Sequence, residues 1–208
     1  MDIQTHILSR TLPLPSRAKT LWLELRNELI RAHEAGSLQT SHEEILQRVR
    51  LLPEPPPNIA EELRAHGLER HAYCVVGGEK NQDRNAALPH LMREDGAWFD
   101  FSITVREREG ELDLLAQDFE IRFPPGMGTP FLRYDVNWPW HRNKERELRS
   151  HLHAGSDDIL IPAPLMSPRE LLSLFLDGLR LPANRPARRA RSQFEIEWFR
   201  DTHAIAVG

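Results

Sequence analysis

Cysteine is almost absent from this chain of 208 residues, because Cys74 is the only one. A single cysteine excludes a disulfide framework within the chain and excludes a structural zinc site built from thiolates. Cys74 lies in the apolar run His-Ala-Tyr-Cys-Val-Val, where a small buried side chain is expected rather than a reactive thiol. The chemistry of this protein therefore has to come from other residue types.

An excess of positive charge and long apolar runs are also missing. The chain has 27 Lys and Arg against 31 Asp and Glu, a formal net charge of −4 with the histidines neutral. No overall basic field draws the protein to nucleic acid or anionic lipid, so such contacts have to come from a local patch. No window approaches the ~20 apolar residues of a membrane span, and the start Met-Asp-Ile-Gln-Thr-His lacks the pattern of a secretory signal. We expect a cytoplasmic protein with no membrane partner.

Helical patterns occupy the first third of the sequence. Residues 16–35 repeat apolar side chains at steps of three and four, which predicts an amphipathic helix. A second, short helix is expected to start after Thr40 or Ser41 and to bury Val49 and Leu52 on its apolar face. The run Pro-Glu-Pro-Pro-Pro ends it, and a third helical piece follows. These helices predict a packing layer.

Strand patterns follow the helices. Residues 71–76 form a β-type run, and residues 99–105 and 115–123 alternate apolar and polar side chains on either side of a charged turn, as in a hairpin. Residues 131–136 predict a further strand, and residues 158–162 predict a short final one. The sequence therefore predicts an antiparallel sheet of about five strands.

The clearest helix start in the chain is at Ser167. Pro168 is in the first helical position, and Glu170 stands three residues after Ser167, as in a capping box. Apolar side chains at helical spacing follow, so we expect one C-terminal helix to pack on the sheet.

Together these elements predict the α+β class, with N-terminal helices and one C-terminal helix packed on the sheet. We expect a single domain over residues 1–180, with a helical part at 16–66 and a sheet part at 70–180. Residues 181–208 are predicted to form a basic C-terminal arm.

Reactive side chains are densest between residues 131 and 162. In an extended strand, Arg133 and Asp135 point to the same face, and so do His151 and His153. The stretch contains the polar residues Arg133, Tyr134, Asp135, His141, His151, His153, Asp157 and Asp158. Any catalytic or binding function is therefore expected here.

A pair of imidazoles suits two kinds of chemistry. Neutral imidazoles and a carboxylate bind a divalent metal such as zinc or manganese, and the candidate ligands are His151 and His153, with His141 and with Asp135 or Asp157 nearby. Without a metal, one imidazole can take the proton of a ribose 2′-hydroxyl and the other can protonate the leaving 5′-oxygen, while Arg133 stabilises charge on the phosphate. A third interpretation is structural: Arg133 and Asp135 form an ion pair, and backbone groups bond the histidines.

This stretch resembles a known family. The pattern Phe-x-Arg-Tyr-Asp, then His141, then His-x-His-x-Gly-x-Asp, a strand ending at Pro162 and the helix opened by Ser167 is similar to the TumE-type toxins of prokaryotic toxin–antitoxin systems. The resemblance covers roughly residues 131–176. Proteins of that family are regarded as ribonuclease-like, and related prokaryotic defence proteins share the motif.

The resemblance implies a ribonuclease-like toxin or anti-phage defence effector that cleaves RNA by histidine acid/base chemistry. It also implies an antitoxin or defence-complex protein as partner. His151 and His153 would be acid and base, Arg133 a phosphate clamp, and Asp135 the residue that orients a histidine. The catalytic candidates are His151, His153, His141, Arg133, Asp135 and Tyr134.

Other residues suggest a binding role. No acid stands between Asp177 and Glu195, and this span is rich in arginine. A basic arm of this kind contacts nucleic acid or an acidic partner, or it is a solvated linker. Trp138 and Trp140 offer surfaces on which bases stack, or they pack internally. The candidate nucleic-acid contacts are Arg185, Arg188, Arg189, Arg191, Trp138 and Trp140. The alternative function is thus a non-catalytic subunit of a prokaryotic defence complex that binds nucleic acid or protein.

Overall fold

Helices and strands alternate in the first half of the chain and strands dominate the second half. The computed structural model describes residues 12–79, 87–125, 128–141 and 148–179. In these ranges the helices are α1 (Ala18–Glu34), α2 (His42–Arg48), α3 (Pro57–Ala65) and α4 (Pro168–Ser173), the last continued by a π-helical turn, Leu174–Gly178. The strands are β1 (Val49–Leu52), β2 (Ala72–Gly77), β3 (Leu91–Met92), β4 (Trp98–Arg108), β5 (Glu111–Arg122), β6 (Phe131–Val136), β7 (Ser150–Ala154) and β8 (Ile161–Pro162).

All eight strands of the described ranges belong to one antiparallel sheet. The strand order is β1-β2-β4-β5-β6-β7-β8, and β3 pairs with one end of β4. Long hairpins need alternating side chains, which the β4 and β5 sequences supply. The predicted α+β class and the antiparallel sheet are confirmed, and the sheet has three more strands than the five expected.

The three additional strands are β1, β3 and β7, and β1 lies where the sequence pattern was ambiguous. Val49 and Leu52, expected on the second helix, belong to β1, which pairs along the edge of β2. Apolar residues three apart suit a helix or a short strand, and pairing with β2 satisfies the backbone of this segment. The final strand is shorter than predicted, because β8 contains only Ile161 and Pro162.

The main core fills one face of the sheet, here called the helix face. Leu21, Leu25 and Leu29 of α1 are fully buried, and α1 contacts β1, β2, β4 and α4. Phe101 stacks on Phe119 with ring centroids 4.9 Å apart, and Phe119 also meets the edge of Phe175 after α4. The helix face is thus an apolar layer between the sheet and two helices.

The start of α4 is capped by its own sequence, and the start of α1 is capped by a residue of a distant strand. Ser167 and Glu170 form the predicted capping box at α4. At α1, Arg17 stands in the N-cap position without a side-chain cap, and Glu107 of β4 accepts a hydrogen bond from the Ala18 amide at 2.9 Å. Burial raises the pKa of Glu107, but the Ala18 amide and the Arg17 guanidinium outweigh burial and hold this pKa below its ordinary value.

Helix α3 lies on the opposite face of the sheet, here called the open face. Leu63 of α3 packs with Ala72 and Leu115, and Trp138 lies against this small cluster. Trp140 stacks on His66 at the end of α3, with ring centroids 3.7 Å apart. Helix α3 therefore forms a wall beside the open face. In the described ranges, no helix has the length and apolar character needed to cross a membrane.

Candidate functional site

Strand register lines up polar side chains across the open face. Residues directly opposite each other on antiparallel strands share a face, so each register line is a row of neighbours. One row crosses β2, β4, β5, β6 and β7 and contains Val76, Ser102, Asp118, Asp135 and His151. The next contains Asp100, Glu120, Arg133 and His153. The face is thus polar at its centre, where the helix face is apolar.

Asp135, His151 and His153 meet on this face. The Nε2 atoms of His151 and His153 are 3.1 Å apart. The Oδ2 atom of Asp135 is 3.5 Å from the first Nε2 and 3.2 Å from the second. Both histidines are buried, with 2% and 4% of their surface exposed. Among the described residues, these three make up the group of His, Cys, Asp or Glu close enough to hold a metal ion.

The second nitrogen of each imidazole, Nδ1, lacks a hydrogen-bond partner among the described residues. Both the His151 Nδ1 and the His153 Nδ1 are buried. The polar contacts of the rings are therefore to each other and to Asp135. The structural interpretation from the sequence holds in one part only: Arg133 and Asp135 form an ion pair, but no described backbone group bonds the histidines.

Arg133 links this cluster to further carboxylates. Its Nε donates to the Asp135 Oδ2 at 2.9 Å, and one terminal nitrogen donates to the Asp157 Oδ1 at 2.5 Å. The same nitrogen is 3.9 Å from Glu120. Burial lowers the pKa of Arg133, but the charge of Asp135, aided by Asp118 and Asp157, outweighs burial and raises this pKa above its ordinary value. Arg133 therefore holds the carboxylate of Asp135 in place as a permanent cation.

A pocket of about 590 Å³ opens beside the cluster, between α3 and the sheet. Asp135 belongs to both the cluster and the pocket wall, and Arg133, which bonds Asp135, also lines the pocket. The remaining wall mixes polar and apolar groups, among them Ser102, Thr104, Asp118, Ile59, Asn137 and Trp138. A partly apolar cleft with a few convergent polar groups is the usual form of a ligand site.

Several predicted site residues lie away from the cluster. Tyr134 points to the helix face, where its hydroxyl contacts Ser150 and Pro164 and accepts a hydrogen bond from the amide of Met166. His141 is exposed in the turn after Trp140 and is not part of the metal-competent group. These contacts place Tyr134 in the packing of the helix face and leave His141 in solvent.

The other candidates divide between packing contacts and undescribed residues. Of the two candidate carboxylate ligands, Asp157 contacts Arg133, and Asp135 lies beside the imidazoles. Trp138 and Trp140 stack on each other, and Trp140 donates to Glu62 of α3. The predicted arm residues Arg185, Arg188, Arg189 and Arg191 lie outside the described ranges, so their contact with nucleic acid stays a prediction.

The sequence interpretation missed Asp118, which stands directly opposite Asp135 on the neighbouring strand. It also missed His90, whose Nδ1 lies 3.2 Å from the Asp100 Oδ2 and whose ring stacks on Trp98. The alternation of β5 assigned Asp118 to the polar side of the strand. It carried no information about which residue of β6 lies opposite, because register depends on the connecting turn.

Comparisons of the chain with models of known protein families, with curated proteins and with solved structures found no match. The resemblance to the TumE-type toxins therefore stays a prediction, and the function is inferred from the geometry of the open face.

Proposed function

We propose that the protein is a ribonuclease-like effector that cleaves phosphodiester bonds, with Asp135, His151 and His153 as its catalytic residues. The observation that supports this proposal is the convergence of two imidazole nitrogens and one carboxylate oxygen beside a pocket. Reactive groups that are held together by the fold and border a cleft are typical of catalytic sites. The pocket has room for a nucleotide-sized ligand.

The cluster can promote cleavage of RNA in two ways. A neutral imidazole can accept the proton of the 2′-hydroxyl while a protonated one donates to the departing 5′-oxygen. This route requires the rings to separate, because an Nε2 to Nε2 distance of 3.1 Å leaves no space for a phosphoryl group. A divalent ion held by the three atoms would instead stabilise the charge on the phosphoryl oxygens as a Lewis acid. This second route uses the rings where they are.

Arg133 has a positioning role in either route. Its guanidinium donates to Asp135 of the cluster and to the exposed Asp157, so both contacts fix its orientation beside the cluster. We therefore propose that Arg133 orients Asp135, and that contact with a substrate phosphate requires Asp157 to release one of its nitrogens.

Cleavage of labelled single-stranded RNA tests the proposal. We expect the wild-type protein to cleave the RNA and the double variant His151→Ala/His153→Ala to lose at least about a hundredfold in rate, the usual contribution of acid/base or metal groups. His42→Gln is the matched control, because His42 is an exposed histidine at the start of α2. Circular dichroism spectra verify that each variant is folded.

Three further results complete this experiment. Loss of cleavage on addition of a chelator supports the metal route, and cleavage that survives the chelator supports the proton-transfer route. Absence of cleavage by the wild type, or equal cleavage by wild type and double variant, would contradict the proposal. If the protein acts as a toxin, expression of the wild type should arrest growth, and expression of the double variant should not.

A further inference from the structure

We infer that Asp135, His151 and His153 form a binding site for one divalent transition-metal ion, with zinc the ion that fits best. The inference concerns metal binding alone and holds whether or not RNA is the substrate. It goes beyond the sequence prediction because it selects Asp135 from the two carboxylates that the sequence left open, Asp135 and Asp157.

The spacing of the three atoms matches a coordination shell. Zinc binds nitrogen and oxygen ligands at ~2.0–2.2 Å, so two ligands of a tetrahedral ion lie about 3.3–3.6 Å apart. The distance from the Asp135 Oδ2 to the His151 Nε2, 3.5 Å, lies in this range. The distance from this oxygen to the His153 Nε2, 3.2 Å, and the distance between the two Nε2 atoms, 3.1 Å, are shorter by about 0.1–0.2 Å than its lower end. A triangle of this size leaves a central position at bonding distance from all three atoms.

Hydrogen bonding does not explain this triangle. If both Nε2 atoms carry protons, the contact between His151 and His153 places two donors against each other. If only one Nε2 carries a proton, the bare nitrogen of the other ring faces the carboxylate oxygen, and two acceptors meet. If neither Nε2 carries a proton, all three contacts join two acceptors. Each arrangement of two neutral rings beside the ionised Asp135 therefore leaves at least one unfavourable contact among buried groups. A cation at the centre accepts all three lone pairs at once and removes the unfavourable contact within the triangle. Each imidazole is then the Nδ1–H tautomer, and this N–H has no partner among the described residues.

Strand pairing positions the proposed ligands, and a neighbouring arginine holds the carboxylate among them. The strands β6 and β7 pair so that Asp135 is directly opposite His151. The Arg133 Nε donates to the same Asp135 oxygen that faces the imidazoles, and Asp157 holds Arg133 from the other side. Ligating carboxylates are normally bonded in this way by a further residue. Three protein ligands keep a fourth position for water or substrate, which is the pattern of catalytic zinc sites.

Metal binding to the purified full-length protein tests the inference. After dialysis against a chelator and its removal, zinc is titrated by calorimetry and the bound metal is measured by elemental analysis. We expect one zinc ion per chain, a higher Tm with zinc than without it, and visible absorption bands of tetrahedral cobalt when Co²⁺ replaces zinc. Manganese and ferrous iron are titrated in parallel, because a two-histidine, one-carboxylate set also suits iron.

Variants locate the ion. Asp135→Asn and His153→Gln should each weaken zinc binding by more than about tenfold, because removal of a residue that merely supports a ligand already costs about 10–100-fold. His42→Gln should bind as the wild type does. If the wild type binds less than one divalent ion per chain for every metal tried, or if the folded site variants bind as tightly as the wild type, the inference is wrong. No RNA enters this experiment, so its failure is separate from failure of the proposed function.

Discussion

The two faces of one sheet have opposite characters, although the same strands build both. On the helix face, Phe101, Phe119 and Tyr134 are buried under α1 and α4. On the open face, one residue away along β6, Arg133 and Asp135 join the histidines of β7. Neighbouring residues of a strand point in opposite directions. One strand can therefore supply core residues to one face of the sheet and reactive residues to the other. Substitutions on the helix face should reduce stability, and substitutions on the open face should reduce binding or activity.

The largest effect on stability is expected for Phe119→Ala. Phe119 is fully buried, stacks on Phe101 and meets the edge of Phe175. Removal of a large aromatic ring from a core leaves a cavity and lowers the free energy of unfolding by about 3–5 kcal/mol. Denaturation in urea measures this loss, with Leu46→Ala as control, because Leu46 of α2 is exposed. A loss below about 1 kcal/mol would contradict the assignment of the helix face as the main core.

A smaller loss is expected for Tyr134→Phe. The hydroxyl of Tyr134 contacts Ser150 at 2.7 Å and accepts a hydrogen bond from the amide of Met166 at 3.0 Å. Buried groups left without their partner cost about 1–3 kcal/mol. Zinc affinity and RNA cleavage should stay within about twofold of wild type when the protein is folded, because Tyr134 lies on the opposite face from Asp135. A selective loss of cleavage would restore Tyr134 as a catalytic candidate.

The smallest change in stability is expected for His153→Leu, although it should abolish zinc binding. The imidazole of His153 is buried with its Nδ1 unbonded by any described residue, so a similar apolar side chain removes an unfavourable group. We expect the free energy of unfolding without metal to change by less than about 1 kcal/mol. Chemical denaturation in the presence and absence of zinc measures both effects. A loss of several kcal/mol without metal would show that the histidine is a packing residue.

Local patterns in the sequence predicted much of the fold. The capping box at Ser167 and Glu170 is a short-range signal, and it is confirmed at the start of α4. The alternation in β4 and β5 predicted their hairpin. β1 could not be predicted in this way, because the spacing of Val49 and Leu52 also suits a helix. Only the pairing of this segment with β2 makes it a strand. Tertiary contacts thus decided the case in which the local pattern was ambiguous.

The sequence predicted which residues of one strand share a face, but not which residues of neighbouring strands lie opposite each other. Period-two alternation correctly assigned Arg133 and Asp135 to one face, and likewise His151 and His153. Which carboxylate meets the imidazoles depends on the offset between β6 and β7, which pairs Asp135 with His151. That offset is set by the connection between the strands and by the buried face of each, neither of which a local pattern contains. The sequence left Asp135 and Asp157 open as the carboxylate beside the imidazoles, and Asp135 is the one that lies next to them in space.

The cap that Glu107 provides for α1 has a consequence for the order of folding. The two partners of this cap are 89 residues apart in the chain, so the first turn of α1 gains its hydrogen bond only after β4 has been synthesised and placed beside it. Isolated turns of helix form within about a microsecond, whereas contacts between distant residues wait for the chain to close a long loop. The start of α1 is therefore expected to become protected from hydrogen exchange together with the β4 and β5 hairpin, long after the helix itself has left the ribosome.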